Sequence, residues 1–515
     1  MLFCCMAAAL LLACSNDKSD GEGREPGVET ELNGTQLGEG TTLYGLVTDT
    51  SGNPVQGVVV SDGYNCVETD ANGVYQMIRY KKARFVWYST PAGYEINTSA
   101  DNYPLYYAEI VHKNIADRHD FVLKPLAAPE TDFTLLCIAD PQCATTAEIS
   151  RYVNETIPDV EATVDAYKAK GTPVYGITLG DIVFDTPDLW SNMKESMANR
   201  NLPVFQTIGN HDHLQTETSD DNAAANFETQ FGPRNYSFNR GDVHIVSMDN
   251  IIHECQESAG YTGGFSAEQY EWLKQDLSYV PKDKMVILCV HIPFRNSNYA
   301  YYDEVLELLS QYKYATIMSA HTHSNINHIH TKNGKEIFEH ITGTSCGAWW
   351  RSTVCTEGTP IGFGIYRIDG AAMKEWTYKS VQHDEEFQIR LYRGSDKFTG
   401  GGDASYYFSK KNAGQIVANI WNWDPAWTVN VYENGAKTGT MTQYSDKDAW
   451  TVAYHIGILN NSSSYNKSTD HMFYYTLTNP AADVKVEAID RFGNKYEQTV
   501  FTDPDSHPGI YHLDY

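Results

Sequence analysis

Val174-Tyr175-Gly176-Ile177-Thr178-Leu179-Gly180-Asp181 and Val204-Phe205-Gln206-Thr207-Ile208-Gly209-Asn210-His211-Asp212 share one plan. Each is a short apolar run that ends in glycine and then a carboxylate, amide or imidazole. Runs of this length, closed by a polar residue or glycine, read as buried strands. Three more segments follow the same plan: Phe133 to Ile138 before Asp140-Pro141-Gln142, Met285 to Val290 before His291, and Ala315 to Met318 before His321-Thr322-His323. Five strand ends that each deliver Asp, Asn, Gln or His predict side chains converging along one sheet edge. Carboxylate and amide oxygens together with imidazole nitrogens are the donors that two divalent metals require.

At 515 residues the chain is long enough for about three domains. Its 42% hydrophobic and 12% aromatic content can fill a large core, which sets it apart from disordered chains. The net charge of −28 argues against nucleic acid or an anionic membrane surface as a partner, because such binding draws on Lys and Arg. Anionic substrates stay open, since bound dications reverse the local sign.

The N-terminus reads as an address. Leu2 to Ala13 is nearly all apolar or small and is followed by Cys14. The stretch is too short for a membrane span and fits a signal-peptide core, placed at residues 1–14. Leu11-Leu12-Ala13-Cys14 resembles a bacterial lipoprotein box, which implies lipidation at Cys14. No Lys or Arg precedes the apolar run, and an ordinary secretory signal is the alternative. The reading is therefore an exported protein, periplasmic or anchored at the outer membrane, that meets the membrane only through its lipid. Residues 15–41, rich in Gly, Ser, Asp, Glu, Asn and Thr, read as a flexible tether. Export permits disulfides; Cys346 and Cys355 are near enough in sequence to close a small loop, while Cys137 and Cys289 read as small buried hydrophobes.

Residues 42–125 alternate apolar and polar between turns such as Ser51-Gly52-Asn53-Pro54, which predicts a small β-sandwich. This stretch resembles the carboxypeptidase-regulatory-like type. Residues 132–380 hold the five motifs between helical stretches such as Pro158 to Lys170, where Pro158 suits the first position and Val160, Val164 and Tyr167 share a face. Asp185-Thr186-Pro187 predicts a helix start with Asp185 or Thr186 as cap. Residues 385–515 return to alternation and predict a second β-sandwich without a catalytic constellation.

The order and placement of the five motifs resemble the calcineurin-like metallophosphoesterase superfamily, whose pattern is Asp-x-His, Gly-Asp, Gly-Asn-His-Asp/Glu, His, then Gly-His-x-His. The whole layout resembles the exported lipoprotein members of Bacteroidetes-type bacteria. The resemblance implies an α/β (α+β) central domain, a four-layer β-sandwich flanked by helices, with an all-β sandwich domain on each side. It implies that Asp140, Gln142 and His323 bind a first divalent metal, that Asp181 bridges to a second, and that Asn210, His291 and His321 bind the second. The metals would be Mn, Mg, Fe or Zn. His211 would not ligate but face the phosphoryl group and leaving oxygen, and Asp212 would orient its imidazole. The implied activity is hydrolysis of phosphate mono- or diesters by a hydroxide shared between the metals.

Two positions depart from that pattern: Gln142 replaces His, and Ser319-Ala320 stands where Gly precedes the last pair. Purple acid phosphatases place a Tyr ligand three residues after the bridging Asp; here that residue is Phe184, which disfavours the iron–tyrosinate type. Candidate substrate contacts are Arg295 and Asn296 soon after His291, and Trp349, Trp350 and Arg351. The paired tryptophans read either as a stacking surface for a sugar or base or as packing against a flanking domain. His213 reads as a supporting residue or a surface one. Substrates would be small phosphate esters or glycan- or lipid-linked phosphates. The alternative function is a catalytically weak surface protein that binds glycan on the same scaffold; a scaffold has no need of His211.

Overall fold

The computed structural model describes residues 29–111, 116–198, 200–254, 260–295 and 298–508. The signal segment with Cys14, the tether as far as residue 28, and Asn296 lie outside the described residues.

Two mixed sheets form the middle of the chain. The first has the order Val204–Thr207, Val174–Leu179, Asp132–Ile138, Gly362–Asp369, Ala372–Ser380. Its first three strands run parallel and its last two antiparallel. The second has the order Tyr236–Arg240, Val243–Ser247, Met285–Cys289, Tyr314–Ser319, Lys335–Ile341, Ile326–Lys332. Its four inner strands are parallel and its edges antiparallel. Val174–Leu179, Val204–Thr207 and Met285–Cys289 are buried along their whole length. Parallel strands are covered on both faces, which is why their apolar runs are continuous. Within the first sheet, Leu135, Cys137, Ile177 and Leu179 share a core with Ile245, Ile287 and Cys289 of the second. Leu136, Ile138 and Val174 point the other way, onto Val160, Val164 and Trp190 of the covering helices. Each motif begins two or three residues past its strand's C-terminal end, where open α/β sheets bind ligands.

The helix expected from Pro158 runs Ile157–Ala169 with Val160, Val164 and Tyr167 buried, but it does not start the helical segment. Thr146–Arg151 precedes it, opened by a capping box in which Thr145 and Glu148 bond each other's backbone. The turn between, Tyr152–Thr156, widens to π geometry. Pro158 has no N–H to donate, and the π turn absorbs that break.

The flanking regions each hold two four-stranded sheets. Leu43–Asp49 anchors one near the N-terminus and Phe85–Tyr88 the other. They join the second central sheet through one apolar core, where Trp87 meets Trp272 edge-on at 5.8 Å and Trp272 Nε1 donates to Ser61 Oγ at 3.1 Å. The end of the expected tether is ordered: Glu31–Leu32 pairs with Thr35–Gln36, and Leu32 and Leu37 are buried against Tyr44 and Val74. The C-terminal region is not all-β. Ala449–Val452 continues as a π turn, Ala453–Ile458, started by Asp448 accepting from the N–H groups of Trp450 and Thr451. The Cys346–Cys355 bridge does not form: both thiols are free and buried, and each lies 3.7 Å from the Thr344 hydroxyl between them. No helix among the described residues is long and apolar enough to cross a membrane.

Candidate metal centre

The loops that follow the five strands close on one another. Gly180 and Gly209 permit this. A Cβ on Gly180 would come within 2.7 Å of His291 Nδ1, and one on Gly209 within 2.1 Å of the Asp181 nitrogen. Asp140, Gln142, Asp181, His321 and His323 all have left-handed backbones, with φ between 41° and 65°. Such strain at non-glycine residues persists only where the surroundings over-determine it, and it gathers at functional sites.

His291 is the hub of one half. Its Nδ1 donates to the Leu179 carbonyl at 2.7 Å, so in the neutral ring Nε2 faces inward with a lone pair. That Nε2 lies 3.0 Å from Asn210 Oδ1, 3.2 Å from His321 Nδ1 and 3.3 Å from Asp181 Oδ2. Asp181, His291 and His321 thus bring donor atoms within 4.8 Å of one another. In the other half, His323 Nδ1 donates to the Gly347 carbonyl at 3.0 Å, and its Nε2 stands 3.8 Å from Asp140 Oδ1. Gln142 departs from its expected pose. Its Nε2 donates to Asp181 Oδ2 at 3.0 Å, so an oxygen ligand there requires the flipped amide.

The donor set fits a cation. Asp140 Oδ1 is buried without a hydrogen-bond partner, a cost that a bound cation removes. Protonation demands conflict among these side chains. Burial pushes the Asp140 carboxyl up to about 8. Burial opposes charge on His291, yet Asp181 beside it brings the imidazole up to about 9. Burial and the His291 neighbour push His321 down to about 3, and burial pushes His323 down to about 4. Burial also works against the Asp181 anion, but His291 and His211 hold its carboxyl well below the usual range. Dications resolve all of this by favouring anionic carboxylates and neutral imidazoles together.

His211 sits beside this set with only its N–H, donating to Asp181 Oδ1 at 2.9 Å, bonded to a candidate ligand. Its ring stacks on Phe184 at 4.3 Å and 16°. The residue expected to orient it is corrected. Asp212 accepts from the backbone N–H groups of Ile182, Val183 and Gly209 and ties the two loops together. The carboxylate at the imidazole is Asp185, whose Oδ2 lies 3.1 Å from Nδ1 but off the N–H axis, an ion pair rather than a straight hydrogen bond. Of the two cap candidates, Asp185 and Thr186, Thr186 takes the N-cap position, but its side chain bonds no backbone N–H of the turn. Burial lowers the His211 basicity, but Asp181 and Asp185 outweigh it and the ring titrates above its ordinary value. His213 is buried: its Nδ1 meets the Gly209 carbonyl at 2.9 Å and its Nε2 meets Asp249 at 3.3 Å. Asp249 carried no motif to reveal it.

The substrate candidates separate. Arg295 pairs with Asp470 of the C-terminal region at 2.6 Å, which competes with the expected phosphate contact. Trp350 is core rather than contact surface: it is fully buried, and its Nε1 donates to the Pro141 carbonyl at 2.8 Å. Trp350→Ala should lower unfolding free energy by about 3–5 kcal/mol in a denaturant titration. Trp349 is half-buried, stacked on His323 at 4.2 Å and 24°. Arg351 is exposed. Tyr261, absent from the motif reading, meets His321 edge-on at 6.0 Å.

Three family signatures match the chain in order: the N terminal of Calcineurin-like phosphoesterase at residues 41–126, Calcineurin-like phosphoesterase at 133–325, and the C terminal of Calcineurin-like phosphoesterase at 339–496. The chain is similar to purple acid phosphatase 15 of Arabidopsis thaliana, 29% identical over 154 residues, a match covering 27% of each protein. It is similar in structure to purple acid phosphatase PPD1 of Lupinus luteus, at 12% identity and a TM-score of 0.34 over 50% of this chain and 52% of that one. It is also similar to a 5'-nucleotidase of Candida albicans, at 11% identity and a TM-score of 0.31 over 48% of this chain and 51% of that one. With its N-terminal, central and C-terminal parts each matched in order, the chain belongs to the calcineurin-like phosphoesterase superfamily.

Proposed function

We infer that the protein is a phosphoesterase that hydrolyses phosphate mono- or diesters at a centre of two divalent cations, Mn, Mg, Fe or Zn. One observation carries the reading: the loops after five strands of two sheets bring Asp140, Gln142, Asp181, Asn210, His291, His321 and His323 together, with the His211 imidazole beside them paired to Asp185. Asp140, Gln142 and His323 would hold one cation, Asn210, His291 and His321 the other, and Asp181 both. When bound, such cations make water acidic enough to attack phosphorus near neutral pH and neutralise the phosphoryl oxygens. The chain's own residues do the rest. Leu179 and Gly347 carbonyls fix the tautomers of His291 and His323. Asp185 favours the protonated His211 ring, which can donate to a phosphoryl oxygen or to the leaving alkoxide. Phe184 offers no oxygen and instead backs the His211 ring.

The setting we propose is a four-layer central domain between β-sandwich domains, in an exported lipoprotein anchored through Cys14 at the periplasmic or outer-membrane surface. Its substrates would be small phosphate esters or glycan- or lipid-linked phosphates. The glycan-binding alternative gains no support from the site, because the His211–Asp185 pair serves no scaffold. The test loads the purified protein with each metal and compares a nitrophenyl phosphate monoester with a bis-nitrophenyl diester. Metal-dependent turnover of one or both is expected; two bound metals with no turnover of either would sink the phosphoesterase reading.

A further inference from the structure

The segment Ser345–Trp350 is bound to one half of the centre. Its backbone N–H groups at Ser345 and Cys346 donate to the Ala139 and Asp140 carbonyls at 2.8 and 3.2 Å. The Trp350 indole holds the Pro141 carbonyl. Gly347 receives the His323 Nδ1–H, and Trp349 covers the face of the same imidazole. Both tryptophans have left-handed backbones, with φ of 50° and 60°. That conformation costs about 1–2 kcal/mol for a residue with a Cβ, so something outside the segment must hold it.

The C-terminal region supplies a hold. The Tyr465 ring lies 4.7 Å from that of Trp349, tilted by 59°. Tyr465 is itself tied down: its carbonyl accepts from His455 Nδ1 at 2.7 Å, and His455 Nε2 meets Ser352 Oγ at 2.8 Å, just past the tryptophans. Two residues on, Lys467 Nζ donates to the Thr322 carbonyl at 2.7 Å, between the two candidate histidine ligands. The Lys467 N–H donates to the Thr356 carbonyl at 3.1 Å, and Thr356 returns two bonds to the His323 carbonyl, from its N–H at 3.1 Å and from Oγ1 at 2.9 Å.

We propose that the C-terminal domain is a working part of the metal centre: Tyr465 and Lys467 hold Trp349 and the His321–His323 turn, and Trp349 is a positioning residue that fixes the His323 imidazole for the cation shared with Asp140 and Gln142. The hydrogen bond to Gly347 sets the tautomer but leaves the ring free to rock; the indole face stops the rocking. The proposal rests on the two-cation reading above. Partners of this kind, which orient a ligand without touching the metal, are worth about 10- to 100-fold in metal affinity.

The test uses the full-length protein and its Trp349→Ala, Trp349→Phe and Tyr465→Ala variants, each loaded with Mn²⁺. Ions per chain are counted after gel filtration, and affinities are measured by chelator competition. The wild type should retain two ions. Trp349→Ala and Tyr465→Ala should each weaken one of the two by about 10- to 100-fold and leave the other unchanged. Trp349→Phe, which keeps a ring on His323, should stay close to wild type. Melting in excess chelator reports the fold separately, and Tyr465→Ala, on the half-buried rim, keeps the test open if Trp349→Ala does not fold. A wild type that holds fewer than two ions overturns the two-cation reading itself. Two ions in the wild type, with unchanged affinities in both alanine variants, overturns the positioning role alone.

Discussion

Asp181→Asn should keep the fold and empty the centre. Asparagine has the same shape and retains an oxygen for the His211 N–H, which Asp181 Oδ1 now accepts at 2.9 Å. Neighbouring backbone bonds, such as Gln142 N–H to the Asp181 carbonyl at 2.7 Å, do not involve the side chain. What the variant removes is the buried carboxylate charge that would face both cations. Loss of one partner of a buried charge pair costs about 3–5 kcal/mol. At 1.4 kcal/mol per decade that is about two to three and a half decades of cation affinity. Because Asp181 is the residue assigned to both cations, both should leave together, and ester turnover should fall to background. Metal content per chain after gel filtration is the deciding measurement; a variant that holds two ions at wild-type affinity overturns the shared role of Asp181.

His211→Ala should do the reverse, keeping both ions and losing rate. Its imidazole meets Asp185 and Phe184 and none of the seven candidate ligands through its ring nitrogens. A positioned proton donor contributes about 10²–10⁴-fold, and kcat should fall within that range at unchanged metal content. Loss of metal in this variant would show that His211 ligates after all. The companion variant Asp185→Asn tests the corrected pairing through pH. The ring titrates above its ordinary value through Asp181 and Asp185. Once cations take up the Asp181 charge, Asp185 is the remaining support for the protonated ring. If the protonated ring is the active form, rate is lost as pH rises through its pKa. Removing the Asp185 charge lowers that pKa, so the alkaline fall in kcat should begin at lower pH. An unmoved alkaline limb would return the orienting role to another residue.

Asp185 and Asp212 show where reading along the chain stops working. Asp212 adjoins His211, and adjacency favoured it. On the 3₁₀ turn Asn210–Asp212, however, successive side chains point about 120° apart. Asp212 therefore turns back to the N–H groups of the neighbouring loop, while Asp185 arrives from the preceding motif to face the ring. Trp349 and Trp350 diverge for a related reason. Consecutive left-handed residues send one indole into the core beside Tyr152 and the other onto His323. Gln142 reads in the sequence as an oxygen ligand of a first metal; which end of its amide faces inward depends on Asp181 Oδ2, which accepts from Nε2, and on the Cys346 thiol near its oxygen.

The amino-acid sequence alone determined the five strands that precede the motifs, their succession along the chain and the chemistry of the groups at their ends. Each polar motif directly follows its own apolar run, and a buried parallel strand needs nothing more than that local signal. Only the tertiary structure decided which carboxylate meets His211, what covers His323, and that Tyr465 and Lys467 reach the centre from the far end of the chain. These contacts join residues whose separation in sequence leaves no periodic trace. Their distances are set by how two sheets and a neighbouring domain pack, which no single segment encodes.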